Sequence, residues 1–534
     1  MPARSFTGPV IAGLTANAAI IILIGGSLAA LLLSATGLDL GSVLGDSYIR
    51  HVVGFTVWQA SLSTLLSVGL GVPVARALAR HPSFPGRDLL RALFAVPFFT
   101  PVIVAIFGVV AIYGLGGWLN RGLAFLGLPH GFDLYGLPGI LIAHVFFNMP
   151  MVVTMLLPRL EAVPADSWRL AAQLGMGSWA VFRVIELPIL RHALPIIALL
   201  IFLLCFVSFA VVLALGGGPV ATTLEVAIYQ ALRFDFDLGR AVSLALLQLI
   251  IGAVLVGASR AFEQPVQLMP RLRSAAPRPD ATGRIGRVID IALLAIAGLF
   301  VALPLLTVFI EGAAGPIQRM LSSRSLQQSM LRSLMIASLA SMLCLCLAVA
   351  IAASNRRRQH RQRSRWTAGL QAASIGGLII SPLALGTGLF LLFRPVVDQP
   401  WVGYALVIAM NAIMALPFGL PGLSQAMTDA AREDDRLCAG LGISGWDRAR
   451  LIDWPKLRKP IGFCLGLAFS LALGDLSAIA LFGRDDMATL PLLLYQQMGA
   501  YRMAEADATA MLLLILSFLS FAAITGIMGR HARG

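Results

Sequence analysis

The sequence RLAAQLGMGSWAVFRVIELP, residues 169–188, returns 267 residues later as RLCAGLGISGWDRARLIDWP, residues 436–455. Nine of the twenty paired positions are identical, and they include Arg, Gly, Trp and Pro as well as aliphatic residues. Self-similarity at a fixed distance indicates an internal repeat, so we expect two halves with the same fold. Other pairs at nearly the same distance are Pro150 with Pro417, Thr223-Leu224 with Thr489-Leu490, and Tyr229-Gln230 with Tyr495-Gln496.

The composition is typical of a membrane protein. Hydrophobic residues make up 58% of the 534 residues and charged residues only 12%, whereas soluble domains contain about 25% charged residues. The net charge of +14 does not indicate nucleic-acid binding. The basic residues lie in short segments between apolar runs, which is the distribution that the positive-inside rule predicts.

Apolar runs of about 20 residues are long enough to cross a bilayer as helices. The sequence contains about twelve such runs, which predicts an all-α membrane protein made of two parallel six-helix repeats. The predicted spans are 10–34, 53–75, 92–115, 136–158, 193–215, 239–259, 286–310, 331–354, 368–393, 401–421, 461–483 and 506–528. The distribution of Arg and Lys predicts that both termini are cytoplasmic.

Three regions follow from this division. The first half covers residues 1–260, a basic linker covers 261–286, and the second half covers 287–534. The linker is rich in Pro, Ala and Arg, so we expect a flexible, solvated cytoplasmic tether. We expect Asp290 to be a solvated or capping acid. The five cysteines are predicted to be packing residues, and no metal site is expected.

The repeated segment lies in a predicted cytoplasmic loop between the fourth and fifth spans of each half. The two loops cover residues 161–190 and 428–458. The first part of each loop is amphipathic and predicts a short helix. Gly175 and Gly442 are placed to end that helix, and Pro188 and Pro455 are placed to begin the next span.

This segment resembles the EAA loop of ABC importer permeases of type I, with Gly six residues after its first position and Pro thirteen residues after that Gly. In that family the loop forms a coupling helix that docks in a groove of the ATPase. Arg stands here where the family usually has Glu, and Leu stands at its first Ala position, so the polarity of docking stays open. The resemblance implies ATPase-coupling roles for Arg169, Leu170, Ala171, Ala172, Gly175, Pro188, Arg436, Leu437, Ala439, Gly442 and Pro455.

The chain is not expected to hydrolyse ATP. A Walker A motif requires Lys followed by Ser or Thr, but the only lysines, Lys456 and Lys459, are followed by Leu457 and Pro460. We therefore expect no cofactor on this chain. ATP and Mg²⁺ are expected on a separate ATPase.

Other segments are similar to the permeases of thiamine ABC importers, and the similarity covers nearly the whole chain. It implies transport of thiamine or its phosphates, a periplasmic thiamine-binding protein, a cytoplasmic ATPase dimer, and a bacterial inner-membrane location. A ferric-iron importer permease and, less consistent with the loops, a twelve-span secondary transporter stay open as alternatives. The similar segments are 51–60 (HVVGFTVWQA), 135–151 (YGLPGILIAHVFFNMPM), 216–237 (GGGPVATTLEVAIYQALRFDFD) and 489–501 (TLPLLLYQQMGAY).

Polar residues inside spans usually face the interior of the helix bundle. A thiazolium cation would be attracted by the carboxylate of Asp475 and by aromatic faces. Hydrogen bonding between helices is the alternative role for His144, Asn148 and Asp475. The candidate substrate-pathway residues are His144, Phe147, Asn148, Phe206, Ser208, Phe209, Asp475 and Ser477.

Two segments on the predicted outer side are candidate contacts for the lobes of the binding protein. They are the glycine-rich loop Gly216–Pro219 and the segment Thr489–Gln496, with Asp485 and Asp486 nearby. A loop with no partner is the alternative for this region.

Overall fold

The computed structural model describes residues 8–34, 45–128, 132–259, 278, 280, 283–358, 381–396, 399–443, 445–483 and 487–529. Within these ranges, all regular secondary structure is helical. Ten helices in the described ranges are long and apolar enough to cross a membrane. The predicted all-α membrane fold is confirmed, and the count of twelve spans stays a prediction.

The described part of the first half contains eight principal helices. They are α1 (Gly8–Ser34), α2 (Ser47–Arg80), α3 (Val102–Tyr113), α4 (Leu137–Glu161), α5 (Ala165–Gln173), α6 (Leu187–Phe206), α7 (Leu224–Arg233) and α8 (Leu238–Ser259). Shorter helical segments are Arg87–Ala95, Val96–Phe98, Trp118–Phe125, Ser178–Val181, Phe182–Glu186, Ala210–Leu215 and Pro219–Ala221.

The second half contributes seven principal helices to the described ranges. They are α9 (Arg284–Ala314), α10 (Arg324–Arg358), α11 (Pro382–Phe393), α12 (Pro400–Gly440), α13 (Trp454–Leu473), α14 (Leu490–Gly499) and α15 (Met503–Gly529). Shorter segments are Ile317–Leu321, Gly445–Arg448, Ala449–Asp453 and Ser477–Phe482. The first part of the predicted span 368–393 lies outside the described residues.

The first helix of each half packs against the other half. Helix α1 lies against α10 and α11, and α9 lies against α2 and α3. Glycines allow both close approaches, because a Cβ atom on Gly388 would lie 2.1 Å from Ser27 Oγ and one on Gly108 would lie 2.2 Å from the carbonyl oxygen of Pro304. In the described ranges, the largest apolar core therefore contains buried residues from both halves, and so does a second core around Ala16 and Ile20.

The fifth span is broken in each half. Helix α6 ends at Phe206 and a short helix begins at Ala210, whereas α13 ends at Leu473 and a short helix begins at Ser477. The predicted spans 193–215 and 461–483 therefore each contain a break that the sequence analysis did not predict. At the second break, the Asp475 carboxylate accepts hydrogen bonds from two backbone N–H groups of the following turn, so it starts a new helix.

Candidate functional site: the paired loops and a cavity between the halves

The short helix in each repeated loop ends at the predicted glycine. Gly175 has φ +62° and Gly442 has φ +68°, a left-handed conformation that costs energy for any residue with a Cβ atom. The next backbone N–H reaches back to the helix in both loops, which is the Schellman arrangement. These bonds join Met176 N to Ala171 O at 3.0 Å and Ile443 N to Cys438 O at 2.9 Å.

The two loops differ in how their helices begin. In the first loop, α5 is separate from α4, and Pro164 stands directly before it. Proline lacks the N–H that helix continuation needs, and its ring obstructs the preceding turn. Ala431 occupies the matching position in the second loop, where α12 runs without interruption to Gly440. The second loop helix is therefore a rigid extension of its membrane helix.

Each loop presents several large apolar side chains to the exterior, and we call three of them in each loop the exposed triad. The first triad is Leu170, Leu174 and Trp179, and the second is Leu437, Leu441 and Trp446. The tryptophans are the most open, with exposed fractions of 73% for Trp179 and 78% for Trp446. Each member of the first triad stands 267 positions before its counterpart in the second. Exposed apolar patches of this kind make the two triads a candidate interaction surface.

The opposite face of each loop helix is buried. Ala171 and its counterpart Cys438 both face the protein interior. In the first loop, Trp168, Ala171 and Val181 form a small apolar core of their own. The buried face holds the helix in place, and the exposed triad is left free to contact a partner.

The remaining predicted loop residues have different surroundings. Arg169 is exposed and bonds the carboxylate of Asp166 at 3.2 Å, and Ala172 is exposed beside it. Arg436 and Ala439 belong to α12, but their side chains lie outside the described part of the chain. Sequence analysis did not select Leu174, Trp179, Leu441 or Trp446, although the identical Trp of the repeat was a usable signal.

The return into the membrane contains a widened helical turn in both halves. This π turn covers Phe182–Glu186 in the first half and Ala449–Asp453 in the second. Pro188 and Pro455 follow, each at the second position of the next helix. A proline ring obstructs the carbonyl four residues earlier in a regular helix, so a wider turn accommodates it.

Ion pairs with buried carboxylates join the first loop to α2, and α2 to the second half. Glu186 pairs with Arg76 at 2.7 Å, and Asp290 pairs with Arg80 at 3.0 Å. The prediction of a solvated Asp290 is wrong, because Arg80 and His81 satisfy its carboxylate in a buried position. The linker prediction is also wrong for Arg278 and Asp280, which are buried. Linker residues 261–277, 279, 281 and 282 lie outside the described ranges.

A cavity of about 190 Å³ lies between the two halves. The first half contributes Phe98 and Pro101, and the second half contributes Asn411, Phe418, Asp475 and Ser477. Asp475 and Ser477 were selected from the sequence, whereas Asn411 and the two phenylalanines were not. Asn411 stands 267 residues after His144, so the repeat was the signal that pointed to it.

The Asp475 carboxylate lies in this cavity without a cationic partner among the described residues. It accepts hydrogen bonds from the backbone N–H groups of Ser477 and Ala478, both at 3.0 Å, and from Asn411 Nδ2 at 3.3 Å. The side chain is only half-buried because it borders the cavity. A carboxylate at membrane depth with no counterion is a candidate ligand for a cationic substrate.

The other predicted pathway residues do not line this cavity. His144 is hydrogen-bonded to Ser63 at 2.9 Å, and Asn148 donates to Cys205 Sγ at 3.2 Å. Both contacts join α4 to a neighbouring helix, as the alternative for these two residues predicted. Phe206 and Phe209 are buried in the core, Phe147 packs against Phe146, and Ser208 lies in the first-half break.

The two predicted outer contact segments differ in structure, because Gly216–Gly218 form a non-helical turn whereas Thr489–Gln496 is mostly helical. Helix α14 covers most of the segment Thr489–Gln496, and its Leu490 and Leu494 are buried. The Leu490 N–H donates to Ser333 Oγ at 2.8 Å, which fixes its first turn to α10. The buried side chains reduce the part of this segment that a binding protein could reach, and the contact itself stays a prediction. Asp485 and Asp486 lie outside the described residues.

Comparisons with known proteins complete the description. No family model matches the chain. It is 43% identical to the thiamine transport system permease protein ThiP of Brucella abortus (strain 2308) over 512 residues, covering 96% of this chain and 93% of the relative. The protein of the same name from Escherichia coli (strain K12) is 41% identical over 530 residues, 98% of both chains. The one from Haemophilus influenzae is 36% identical over 511 residues, 95% of this chain and 94% of that relative.

Proposed function

The chain belongs to the thiamine transport system permease family, and we propose on that basis that its substrate is thiamine. It is the permease subunit of an ABC importer, a multi-pass protein of the inner membrane and a transport subunit rather than an enzyme. The observation that carries the choice of substrate is the 36–43% identity to relatives named for thiamine along both halves.

A separate ATPase dimer supplies the energy, with ATP and Mg²⁺ bound on its subunits. Each loop offers one exposed triad, so one ATPase subunit contacts each loop. The helix of each loop ends at Gly175 or Gly442 in a turn fixed by backbone hydrogen bonds, so it can transmit movement of the ATPase to the membrane helices. The matching positions of the two exposed triads support one contact site for each ATPase subunit.

A periplasmic thiamine-binding protein delivers the substrate to the opposite side of the membrane. This orientation, with both termini in the cytoplasm, rests on the clustering of arginines in the loops and linker. ATP binding brings the loops together and opens the pathway outward, and hydrolysis returns it to the inward-open state.

The cavity between the halves provides a site for the substrate during transfer. Thiamine has a cationic thiazolium ring, which the Asp475 carboxylate attracts. Phe98 and Phe418 border the same cavity and can present aromatic faces to a cation. Residues of both halves line the cavity, so relative movement of the halves changes its access.

The proposal is tested with the chain assembled with its ATPase and binding protein in lipid nanodiscs. Thiamine should raise the rate of ATP hydrolysis, and ferric iron should not replace it. Thiamine mono- and diphosphate, added separately, determine whether the phosphates are substrates as well. A complex that responds to ferric iron and ignores thiamine would reject the proposed substrate and support the iron importer.

A further inference from the structure

The linker places one arginine against the first loop. The Arg278 guanidinium lies over the Trp168 ring, 4.2 Å from its centre, and its Nη2 is 2.5 Å from Glu186 Oε1. Trp168 belongs to α5, and Glu186 ends the π turn before α6. This single side chain therefore joins the loop helix to the start of the next membrane helix.

The second loop has the same connection, but its arginine comes from the loop itself. Arg448 Nη2 bonds Asp435 Oδ1, and Arg448 Nε lies 3.6 Å from Asp453 Oδ2. Asp435 and Asp453 stand 267 positions after Trp168 and Glu186. The two guanidinium groups thus contact matching positions in the two loops.

The first loop has no arginine of its own at this position. The counterpart of Arg448 is Val181, which is buried in the small core beside Trp168. Arg278 supplies from the linker the guanidinium that the first loop lacks. The guanidinium group comes from the linker in the first loop and from the loop itself in the second, yet it contacts matching positions in both. This recurrence indicates that each loop needs a guanidinium group at this position to hold its shape.

A buried network of charges extends from this contact to the second half. Asp280 accepts from Arg278 at 2.9 Å and from Arg80 at 3.1 Å, and Arg80 pairs with Asp290 on α9. Burial alone would raise the pKa of the Asp280 carboxyl, but Arg278 and Arg80 hold that pKa below its ordinary value. Removal of Arg278 would leave Glu186 with Arg76 and Asp280 with Arg80, so each buried carboxylate would lose one of its two cationic partners.

We propose that Arg278 is a positioning residue that braces the first loop, as Arg448 braces the second. The end of the linker is thus a structural part of the first loop, and it connects that loop to the first helix of the second half. The effect of Arg278 on energy coupling rests on the proposed function, whereas its contacts with the first loop, which we call the brace, do not.

Hydrogen exchange on the full chain in nanodiscs tests the brace directly. In Arg278→Ala, amide exchange over residues 165–175 should rise at least about tenfold, since charge-assisted hydrogen bonds are lost. Exchange over 432–442 should stay unchanged, and Arg448→Ala should produce the reverse pattern. Arg287→Ala removes an exposed arginine of α9 and should change neither segment. Unchanged exchange over 165–175 in Arg278→Ala would overturn the proposal.

If Arg278→Ala does not fold, the variant Arg278→Lys tests the same contact with a smaller change. Arg278→Lys retains the charge but loses the planar stacking on Trp168 and the forked contact with the carboxylates. Its exchange should rise by about threefold and only in the first loop. Exchange equal to that of the unmodified chain would count against a guanidinium-specific brace.

Transport measurements separate the brace from the proposed function. With ATPase and binding protein present, Arg278→Ala should increase the ATP hydrolysed per thiamine imported. Glu186→Gln should add less in the Arg278→Ala chain than it does alone, because the two residues share one contact while the pair of Glu186 with Arg76 is separate. Fully additive effects would overturn the shared contact. A complex that imports no thiamine with the unmodified chain leaves the exchange test unaffected and rejects only the proposed function.

Discussion

Asn411 on α12 donates its side-chain amide to the Asp475 carboxylate across 3.3 Å, at the point where the fifth span of the second half is broken. The hydrogen bond orients a carboxylate at the edge of the cavity between the halves. Backbone N–H groups hold the same carboxylate from the other side. These neutral donors support the negative charge without cancelling it, which leaves the charge available to a cation.

Replacing Asp475 with Asn should weaken transport of thiamine. The change removes the negative charge and keeps the side-chain size, so we expect the KM for uptake to rise roughly tenfold to a hundredfold. Ser470→Ala changes an uncharged residue that lines the same cavity and should leave KM unchanged. Uptake by Asp475→Asn that matches the unmodified chain at every thiamine concentration would exclude Asp475 from the substrate site.

Replacing Gly442 with Val should uncouple ATP hydrolysis from uptake. The left-handed backbone at Gly442 is strained by about 1–2 kcal/mol for a residue with a Cβ atom, so the end of the loop helix should change shape. We expect uptake to fall at least about tenfold with the membrane bundle still folded. Gly440→Val, an exposed helical position two residues away, is the matched control and should transport normally. Full transport by Gly442→Val would contradict this role.

Truncating the exposed triads should weaken binding of the ATPase. In the double variant Leu174→Ala and Leu441→Ala, each leucine loses apolar area that the partner would cover, and affinity should fall roughly tenfold per site. The affinity can be measured by titrating purified ATPase onto immobilised permease in nanodiscs. Leu65→Ala shortens an exposed leucine on α2 within a membrane span and should bind the ATPase normally. If the unmodified chain, the double variant and Leu65→Ala all bound the ATPase with equal affinity, the exposed triads would not be the ATPase contact.

The substitution Gly388→Ala should loosen the contact between α1 of the first half and α11 of the second half. The new Cβ would lie 2.1 Å from Ser27 Oγ, so α1 and α11 would have to separate. Such overpacking typically costs about 1–3 kcal/mol. Thermal unfolding of the purified chain in detergent should occur at a lower temperature than for Gly54→Ala, where the added methyl group meets open space. Identical unfolding temperatures would show that α1 does not need this close approach.

The sequence was most informative where local chemistry decides the structure. Gly175 and Gly442 were predicted to end the loop helices, and their left-handed backbone confirms this because few other residues adopt it easily. The repeat also predicted matched loops in the two halves. It did not predict that α12 would continue through the second loop, although Ala431 in place of Pro164 was a visible difference.

Contacts between distant parts of the chain were harder to predict. Asp290 was expected in solvent because a charge near a span end usually is, but Arg80 approaches it from the other half. Hydropathy averages over many residues, so it concealed the breaks at Ser208 and Asp475 within apolar runs. The packing of α1 and α9 on opposite halves depends on shape, which periodicity does not report.

The most direct test of the central claim is uptake of labelled thiamine by cells that lack their own thiamine permease and express this chain with its binding protein and ATPase. We predict uptake that depends on ATP and is reduced by excess unlabelled thiamine but not by ferric iron. Assembly of the three proteins must be shown in the same cells by co-purification. An assembled complex that takes up no labelled thiamine would contradict thiamine as the substrate.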